Sequence, residues 1–218
     1  VKFSTTVVSD NSAITNYVLE RYKRGCETIA YGGDHAVRAE LLVEDGDKKN
    51  IHINHSYALS ICRVEPENNV HIILEAFSRS ELPIVFIGNW ESSEYGRSLF
   101  RDYKDNKNIN LLMPVYCLDV LHTYRASCSV YIHGHSAGGT NPSLVEIMHF
   151  SKPIVAYDCS FNKATMENKG NYFTCADDLV KLLESKNVLE EGTVLSEIAQ
   201  RRYTWDIVRK QYLELFEI

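Results

Sequence analysis

The chain has 218 residues, a net charge of −6, 44% hydrophobic residues and 11% aromatic residues. These apolar side chains are enough for a hydrophobic core, and the composition excludes a disordered, collagen-like or coiled-coil protein. The acidic balance argues against general nucleic-acid binding, although one local pocket of an acidic protein can still hold phosphates. The longest apolar run, within Leu82 to Gly88, is too short for a transmembrane helix, which needs about 20 residues.

Cysteine usage and the start of the chain both bear on where the protein works. Six cysteines are scattered without any Cys-x-x-Cys pair, so we expect free thiols in a reducing compartment rather than disulfides or structural zinc. The first residue is Val1, and no charged segment with a following apolar signal segment comes after it. We therefore expect a domain excised from a longer protein.

Strand-like and helix-like segments alternate along the chain. Runs rich in β-branched and aromatic residues and bounded by turns predict strands at "STTVVS", "ETIAYGGD", "YALSIC", "PIVFIG", "INLLMPV", "SVYIHG" and "KPIVAYD". Apolar residues at helical spacing predict helices at about 11–22, 68–77, 92–103, 118–127, 142–150, 176–185, 193–202 and 204–217. The segment 34–54 is polar and irregular, and its His52 and His55 are expected to face solvent.

This alternation predicts an α/β fold with a doubly wound parallel sheet and helices on both faces. We expect one domain over 1–218, with a leading strand–helix segment at 1–35, a doubly wound core at 55–203 and a closing helix at 204–217. Ligands of such sheets bind in the crevice at the carboxyl ends of the strands. The candidate loops are therefore those after "YALSIC", "PIVFIG", "INLLMPV" and "SVYIHG".

The loop "HGHSAGGTNP" after the strand "SVYIHG" has the composition of an anion site. Asn141 before Pro142 is a typical helix start, and a helix N-terminus offers unpaired N–H groups. Gly138 and Gly139 let the backbone curl around a phosphate or diphosphate. Glu146, one turn further, would repel a phosphate and is expected to accept hydrogen bonds from hydroxyls beside it. The alternative is a simple tight turn, with Glu146 on a solvated helix.

The loop "CRVEPENN" after "YALSIC" supports the same interpretation. Arg63 stands at the carboxyl end of the strand, where an arginine is suited to bidentate phosphate contact. Asn68 is a candidate cap for the next helix. The alternative for Arg63 is a surface ion pair with Glu65 or Glu67. A nucleotide sugar requires protein groups that bind its diphosphate and, beside them, groups that accept hydrogen bonds from its hydroxyls.

Together, "ICRVEPENNVHIILEAF" and "GGTNPSLVEIMHFSKPIVAYD" resemble the donor-binding, carboxyl-terminal half of the family 4 glycosyltransferases. That family has the two-domain GT-B fold, each half Rossmann-like. The form "HGHSAGGTNPSLVE" and the closing "TWDIVRKQYLELF" are similar to bacterial rhamnosyltransferases that build capsular polysaccharides and exopolysaccharides. The resemblance runs from about Thr5 to the end of the chain.

The resemblance implies roles for several residues. Arg63 would contact the donor diphosphate, and Glu146 would hold the nucleotide ribose. Tyr116 and Leu118 would line the nucleobase pocket, although ordinary packing is the alternative. The loop residues that would present hydrogen-bond donors to the diphosphate are Gly139, Thr140 and Asn141.

The chain also departs from the family pattern. Asn68 replaces the phosphate-binding lysine, and Gly138 replaces the first glutamate of the Glu-x7-Glu pair, which holds hydroxyls of the transferred sugar. His133 and His135 are the candidates to supply the missing polar contacts. Two histidines in alternate positions could also face one metal ion, but no third ligand stands at a suitable spacing. We expect neither a metal nor a cofactor.

The expected function is transfer of a sugar, rhamnose from dTDP-rhamnose, to a growing polysaccharide. The donor is a dTDP- or UDP-sugar, and a lipid-linked saccharide would bind through an amino-terminal domain that the chain lacks. The resemblance implies a cytoplasmic enzyme at the inner face of the plasma membrane, with catalytic residues that the sequence does not identify. A non-catalytic nucleotide-sugar-binding module and a sugar-nucleotide epimerase are the alternatives.

Overall fold

The computed structural model describes residues 3–37, 56–185 and 192–216. The polar turn "VEDGDKKN" and the histidines His52 and His55 lie outside these ranges. None of the helices in the described ranges has the length and apolar character that a membrane span requires.

The described residues form eight strands. They are β1 (Val8–Ser9), β2 (Glu27–Thr28), β3 (Ala58–Ile61), β4 (Ile84–Ile87), β5 (Ile109–Leu112), β6 (Val130–His133), β7 (Ile154–Tyr157) and β8 (Asn171–Phe173).

The α-helices within the same ranges alternate with these strands. They are α1 (Ser12–Tyr22), α2 (Val70–Ser78), α3 (Glu94–Tyr103), α4 (Leu118–Ser127), α5 (Pro142–Met148), α6 (Ser160–Thr165), α7 (Ala176–Glu184), α8 (Gly192–Arg202) and α9 (Trp205–Glu214).

Six strands form one sheet in the order β5-β4-β3-β6-β7-β8, and β1 and β2 form a separate pair. Every pairing in both sheets is parallel. The doubly wound parallel sheet predicted from the alternation is thus confirmed. The chain adds strands outward from β3 to β5 and then returns to the centre with β6. The strand order reverses between β3 and β6, which is where ligands bind in open α/β sheets.

The sheet is covered by two apolar layers, because successive side chains of a strand point to opposite faces. Ala58 and Ile84 face a layer that includes α2, α3 and α7. Their neighbours Leu59 and Val85 face a second layer that includes α4, α5 and α8. Strands buried on both faces explain why the sequence runs are continuously apolar rather than alternating.

Two local predictions need correction. Asn68 does not cap α2: the N-cap position is Asn69, in the left-handed region at φ 49°, and its side chain makes no capping bond. The short helix α6 (Ser160–Thr165) has no counterpart among the predicted elements. Its sequence is polar, and two of its buried residues, Asn162 and Thr165, are held by side-chain hydrogen bonds rather than by apolar packing.

Candidate functional site

Two loops meet where the strand order reverses: the β3 loop (62–69) and the glycine loop (134–141). The Asn69 Nδ2 donates to the carbonyl of Gly134 at 2.8 Å. The backbone N–H and the hydroxyl of Ser136 both donate to the carbonyl of Glu67 at 2.9 Å. The loops that the sequence singled out are therefore held together as one structure at the carboxyl edge of the sheet.

The glycine loop has a backbone that side chains would obstruct. Gly138 has φ +103°, a conformation that favours glycine. A Cβ on Gly139 would lie 1.8 Å from Oδ1 of Asp10, so a larger residue there would displace the Asp10 side chain. Asn141 accepts a hydrogen bond from the N–H of Ser143 at 3.0 Å, as a cap should. The predicted helix start at Asn141 is confirmed.

The leading segment packs over the glycine loop. The hydroxyl of Thr140 donates to the carbonyl of Asp10, and Asn11 Nδ2 lies 3.1 Å from the Thr140 hydroxyl. The Asp10 carboxylate accepts a hydrogen bond from Tyr31, whose pKa is raised by partial burial and by that carboxylate. Thr140 thus directs its side chain to the leading segment, which leaves only its backbone for a ligand.

Arg63 and Asn68 have opposite surroundings in the β3 loop. The Arg63 side chain is 78% exposed and lies 3.8 Å from Glu67, the ion pair that the sequence left open as an alternative. Asn68 is 2% exposed. Its Nδ2 donates to the carbonyl of Arg63 at 2.8 Å and its Oδ1 lies 2.9 Å from Nδ1 of His135. Arg63 is free to move to an anion, whereas Asn68 is occupied in holding the loop and His135.

His135 and His133 lie side by side, with ring centroids 6.1 Å apart. Nδ1 of His135 donates to Asn68 Oδ1, so Nε2 of His135 is left as an acceptor. This Nε2 lies 3.5 Å from the place that a Cβ on Gly138 would occupy. Burial lowers the pKa of His135, and burial with the nearby His135 lowers the pKa of His133 to about 3. Both rings are therefore neutral. No three possible metal ligands are grouped together in the described ranges.

Glu146 lies in a small electrostatic network. Its Oε2 accepts a hydrogen bond from Arg125 on α4, and its Oε1 lies 3.2 Å from Nε2 of His35. The Arg125 side chain is 7% exposed and that of Glu146 is 17% exposed. Glu146 is thus not the solvated helix residue of the alternative interpretation. A buried arginine and a partly exposed histidine keep its carboxylate in one place.

A pocket of about 140 Å³ opens beside this carboxylate, between the leading segment and α4. The side chains around it are those of His35, Ala36, Leu118, Leu121, Arg125 and Glu146. Tyr116 and Leu118, the residues assigned to a nucleobase pocket, are 84% and 62% exposed. They do not pack into the core and remain available to a flat ligand. Apolar side chains, a carboxylate and donors converge here, as in ligand sites generally.

Larger cavities occur elsewhere and have less suitable chemistry. One of about 630 Å³ is formed in part by Ser56 and Pro83, which precede β3 and β4 and so lie at the opposite edge of the sheet. Another, of about 410 Å³, has Trp90 and two surface arginines of α3 around it. The smaller pocket borders Glu146, one turn after the glycine loop, and neither larger cavity does, so we take the smaller pocket as the candidate site.

Comparisons with known proteins identify the family and the fold of this chain. The profile of the family described as Glycosyl transferases group 1 matches residues 44–187, more than half of the chain. The chain belongs to the group 1 glycosyl transferases. No curated protein sequence matches this glycosyl transferase chain.

Solved structures of GT-B glycosyltransferases share the fold of this glycosyl transferase chain. A glycosyltransferase from Rickettsia africae aligns with a TM-score of 0.81 and 14% identity, over 97% of this chain and 62% of that one. The Anabaena protein HepE in complex with UDP-glucose aligns with a TM-score of 0.80 and 16% identity, over 99% and 64%. The sucrose-phosphate synthase from Thermosynechococcus elongatus aligns with a TM-score of 0.76 and 14% identity, over 98% and 58%. The chain thus spans less than two thirds of these proteins, and its fold is a GT-B half.

Sequence reasoning missed several residues of the site in this glycosyl transferase. Arg125 has a local signal, because it falls on the same helical face as Leu118 and Leu121, at i+7 and i+4. An arginine on a partly apolar face could have been flagged. His35 and Asp10 have no such signal, because each meets its partner more than 100 residues along the chain.

Proposed function

We propose that this chain is the donor-binding half of a hexosyltransferase that takes its sugar from a nucleoside diphosphate. The observation that carries the proposal is the placement of Glu146. Arg125 and His35 hold its carboxylate beside the pocket, one turn after the glycine loop. The sugar of the nucleoside would donate to Glu146, through both hydroxyls in UDP and through the 3′ hydroxyl in dTDP, while the diphosphate lies at the loop and at Arg63.

Within this proposal, rhamnose from dTDP-rhamnose is the sugar that we favour. The support is the resemblance of "HGHSAGGTNPSLVE" to polysaccharide rhamnosyltransferases and the position of His135. Its Nε2 accepts hydrogen bonds close to residue 138, where the family pattern has a glutamate. UDP is the second candidate nucleotide, because HepE was solved with UDP-glucose and with UDP.

The acceptor and the cellular place belong to the same proposal. A lipid-linked saccharide of a growing capsular polysaccharide or exopolysaccharide would be the acceptor, bound by the rest of the GT-B enzyme in the cytoplasm at the inner membrane face. Holding both substrates in register contributes much of such an enzyme's rate, because effective molarities of well-oriented groups reach about 10^5 M or more. We therefore expect this chain alone to bind the nucleotide and to transfer no sugar.

Calorimetric titration with dTDP, UDP and inorganic diphosphate tests the binding roles. Arg63→Ala should weaken all three by about 1.5–3 kcal/mol, the scale of a hydrogen bond to a charged group. Glu146→Gln should weaken dTDP and UDP but leave inorganic diphosphate unchanged. Glutamine is chosen over alanine because alanine would leave the buried Arg125 without a partner.

Arg101→Ala is the matched control for Arg63. Arg101 is also an exposed arginine in an ion pair, with Glu94 at 3.2 Å, and its loss should change no affinity. Failure of the chain to bind either nucleoside diphosphate would contradict the proposal. Incubating the complete enzyme with donors and lipid-linked acceptors separates the alternatives: donor turnover without transfer indicates an epimerase, and binding alone indicates a non-catalytic module.

A further inference from the structure

A hydrogen-bonded series connects Glu146 to the start of α9. The indole Nε1 of Trp205 lies 3.1 Å from Nδ1 of His35. The Nε2 of the same ring lies 3.2 Å from Oε1 of Glu146, whose Oε2 is bonded to Arg125. Trp205, His35, Glu146 and Arg125 come from four different parts of the chain, so this series exists only in the folded protein.

The partners determine where the His35 proton lies. An indole N–H can only donate, so Nδ1 of His35 must accept from Trp205. A neutral imidazole that accepts at Nδ1 carries its proton at Nε2. That proton points at Glu146 Oε1, and the carboxylate can only accept. Trp205 and Glu146 therefore favour the same tautomer, the one in which His35 donates to Glu146.

The turn that carries His35 is clamped on both sides. A Cβ on Gly33 would lie 2.7 Å from the backbone of Val145, and one on Gly32 would lie 2.5 Å from the Trp205 ring. The backbone N–H of Trp205 also donates to Asp34 Oδ1 at 2.8 Å. Glycines allow the turn to fit between α5 and the start of α9, which sets the position of His35 relative to Glu146.

We propose that His35 is a positioning residue for Glu146 and that Trp205 holds His35 in the tautomer that donates to Glu146. The inference rests on the proposed function, in which Glu146 accepts hydrogen bonds from a nucleotide. A carboxylate offers about four lone-pair directions. Arg125 and His35 occupy one on each oxygen, and the remaining directions are left for ligand hydroxyls. With Nδ1 free of a donor, His35 could take the other tautomer, and Glu146 would lose its second anchor.

The test is the Trp205→Phe variant, which keeps an aromatic ring at position 205, removes the indole N–H and reduces the fused ring system to a single ring. Its affinity for UDP and dTDP should fall about threefold to tenfold, the effect of one hydrogen bond, while inorganic diphosphate is unaffected. Correlation of the ring nitrogens with their protons by NMR should show His35 protonated at Nε2 in the wild type and in both tautomers in Trp205→Phe. Tyr212→Phe, half-exposed on the same helix, is the matched control.

A double variant separates tautomer selection from a general packing role. In a His35→Gln background, the amide nitrogen can still donate to Glu146 and has no tautomer to select. Trp205→Phe should then reduce the affinity for UDP and dTDP by less than about twofold, which is smaller than the effect of one hydrogen bond. An undiminished effect in that background, or a wild-type His35 protonated at Nδ1, would overturn the inference. A wild-type chain that binds neither nucleotide would instead overturn the proposed function. The two failures can be told apart, because the NMR measurement of the His35 tautomer needs no ligand.

Discussion

The start of α4 places three exposed residues in a row beside the candidate pocket. Tyr116 and Leu118 are largely exposed, and so is Cys117 between them. Cys117 occupies the N-cap position of α4 but makes no capping bond. Cys175 has the same place at the start of α7, where it is exposed and forms no cap. The chain thus holds two similar thiols, one at the site and one away from it.

We expect a nucleoside diphosphate to protect Cys117 from a thiol reagent and to leave Cys175 unprotected. The reason is that a base resting on Tyr116 and Leu118 covers the thiol between them. Cys62 and Cys128 should react slowly in every sample, because burial raises the pKa of each thiol to about 12. Peptide mapping after timed alkylation measures all four. Equal rates at Cys117 with and without nucleotide would show that Tyr116 and Leu118 do not line the pocket.

At the scale of elements, Asn11 joins α1 to two other parts of the molecule. Its Oδ1 accepts from the N–H of Ala13 and so caps α1. Its Nδ2 lies within 3.2 Å of the Thr140 hydroxyl, the Phe161 carbonyl and the Thr165 hydroxyl. A buried amide therefore connects the leading segment, the glycine loop and α6. Asn11 therefore links three segments of the fold in addition to capping α1.

Asn11→Ala should lower the free energy of unfolding by about 2–4 kcal/mol. The loss of a cap contributes about 1 kcal/mol, and leaving buried acceptors without their donor adds about 1–3 kcal/mol. Thr204→Ala is the matched control, because the Thr204 hydroxyl caps α9 by accepting from the Ile207 N–H at 3.3 Å and does not join α9 to other segments within the described ranges. It should lose about 1 kcal/mol. Urea unfolding curves measure both, and equal losses would mean that the three further bonds of Asn11 contribute nothing.

The elements themselves were largely predictable, whereas their side-chain partners were not. Strands buried on both faces leave a continuous apolar run and helices leave an apolar stripe, and both signals lie within about ten residues, so β3 to β7 could be found together with the helices between them. Asn68 illustrates the limit: its place before a helix suggested a cap, yet its amide turns inward to His135, 67 residues away. Helix α6 was missed for the same reason, since Asn11 and His135 hold it from distant segments.

At the scale of the whole molecule, the centre of the sheet contains a histidine that must stay neutral. His133 ends β6, is 2% exposed and stacks on Tyr131 with ring centroids 6.3 Å apart. Its Nε2 is buried with no hydrogen-bond partner in the described ranges. Burial lowers the pKa of His133 from 6.5 to about 3. Between these two values the unfolded chain binds a proton that the folded chain does not.

Folding stability should therefore fall as the pH falls. The contribution of His133 is fully present above pH 6.5 and is lost progressively between pH 6.5 and about 3. By pH 5 one such group removes roughly 2 kcal/mol, before most carboxylates titrate. In urea unfolding, the free energy of unfolding of His133→Phe should fall by roughly 2 kcal/mol less than that of the wild type between about pH 7 and pH 5. His71→Gln, exposed on α2, should keep the wild-type slope, and an unchanged slope in His133→Phe would refute the prediction.

The reversal of strand order between β3 and β6 also has a consequence for the order of folding. Ala58 pairs with Ile84 in β4, about 26 residues along the chain, but its other partner, Val130 in β6, is about 72 residues away. Closing a longer loop loses more entropy, and distant pairings slow folding. The halves β3–β5 and β6–β8 should therefore form before they join. Because the candidate site lies at that junction, substitutions in it should mainly change the rate of unfolding, which stopped-flow kinetics would resolve.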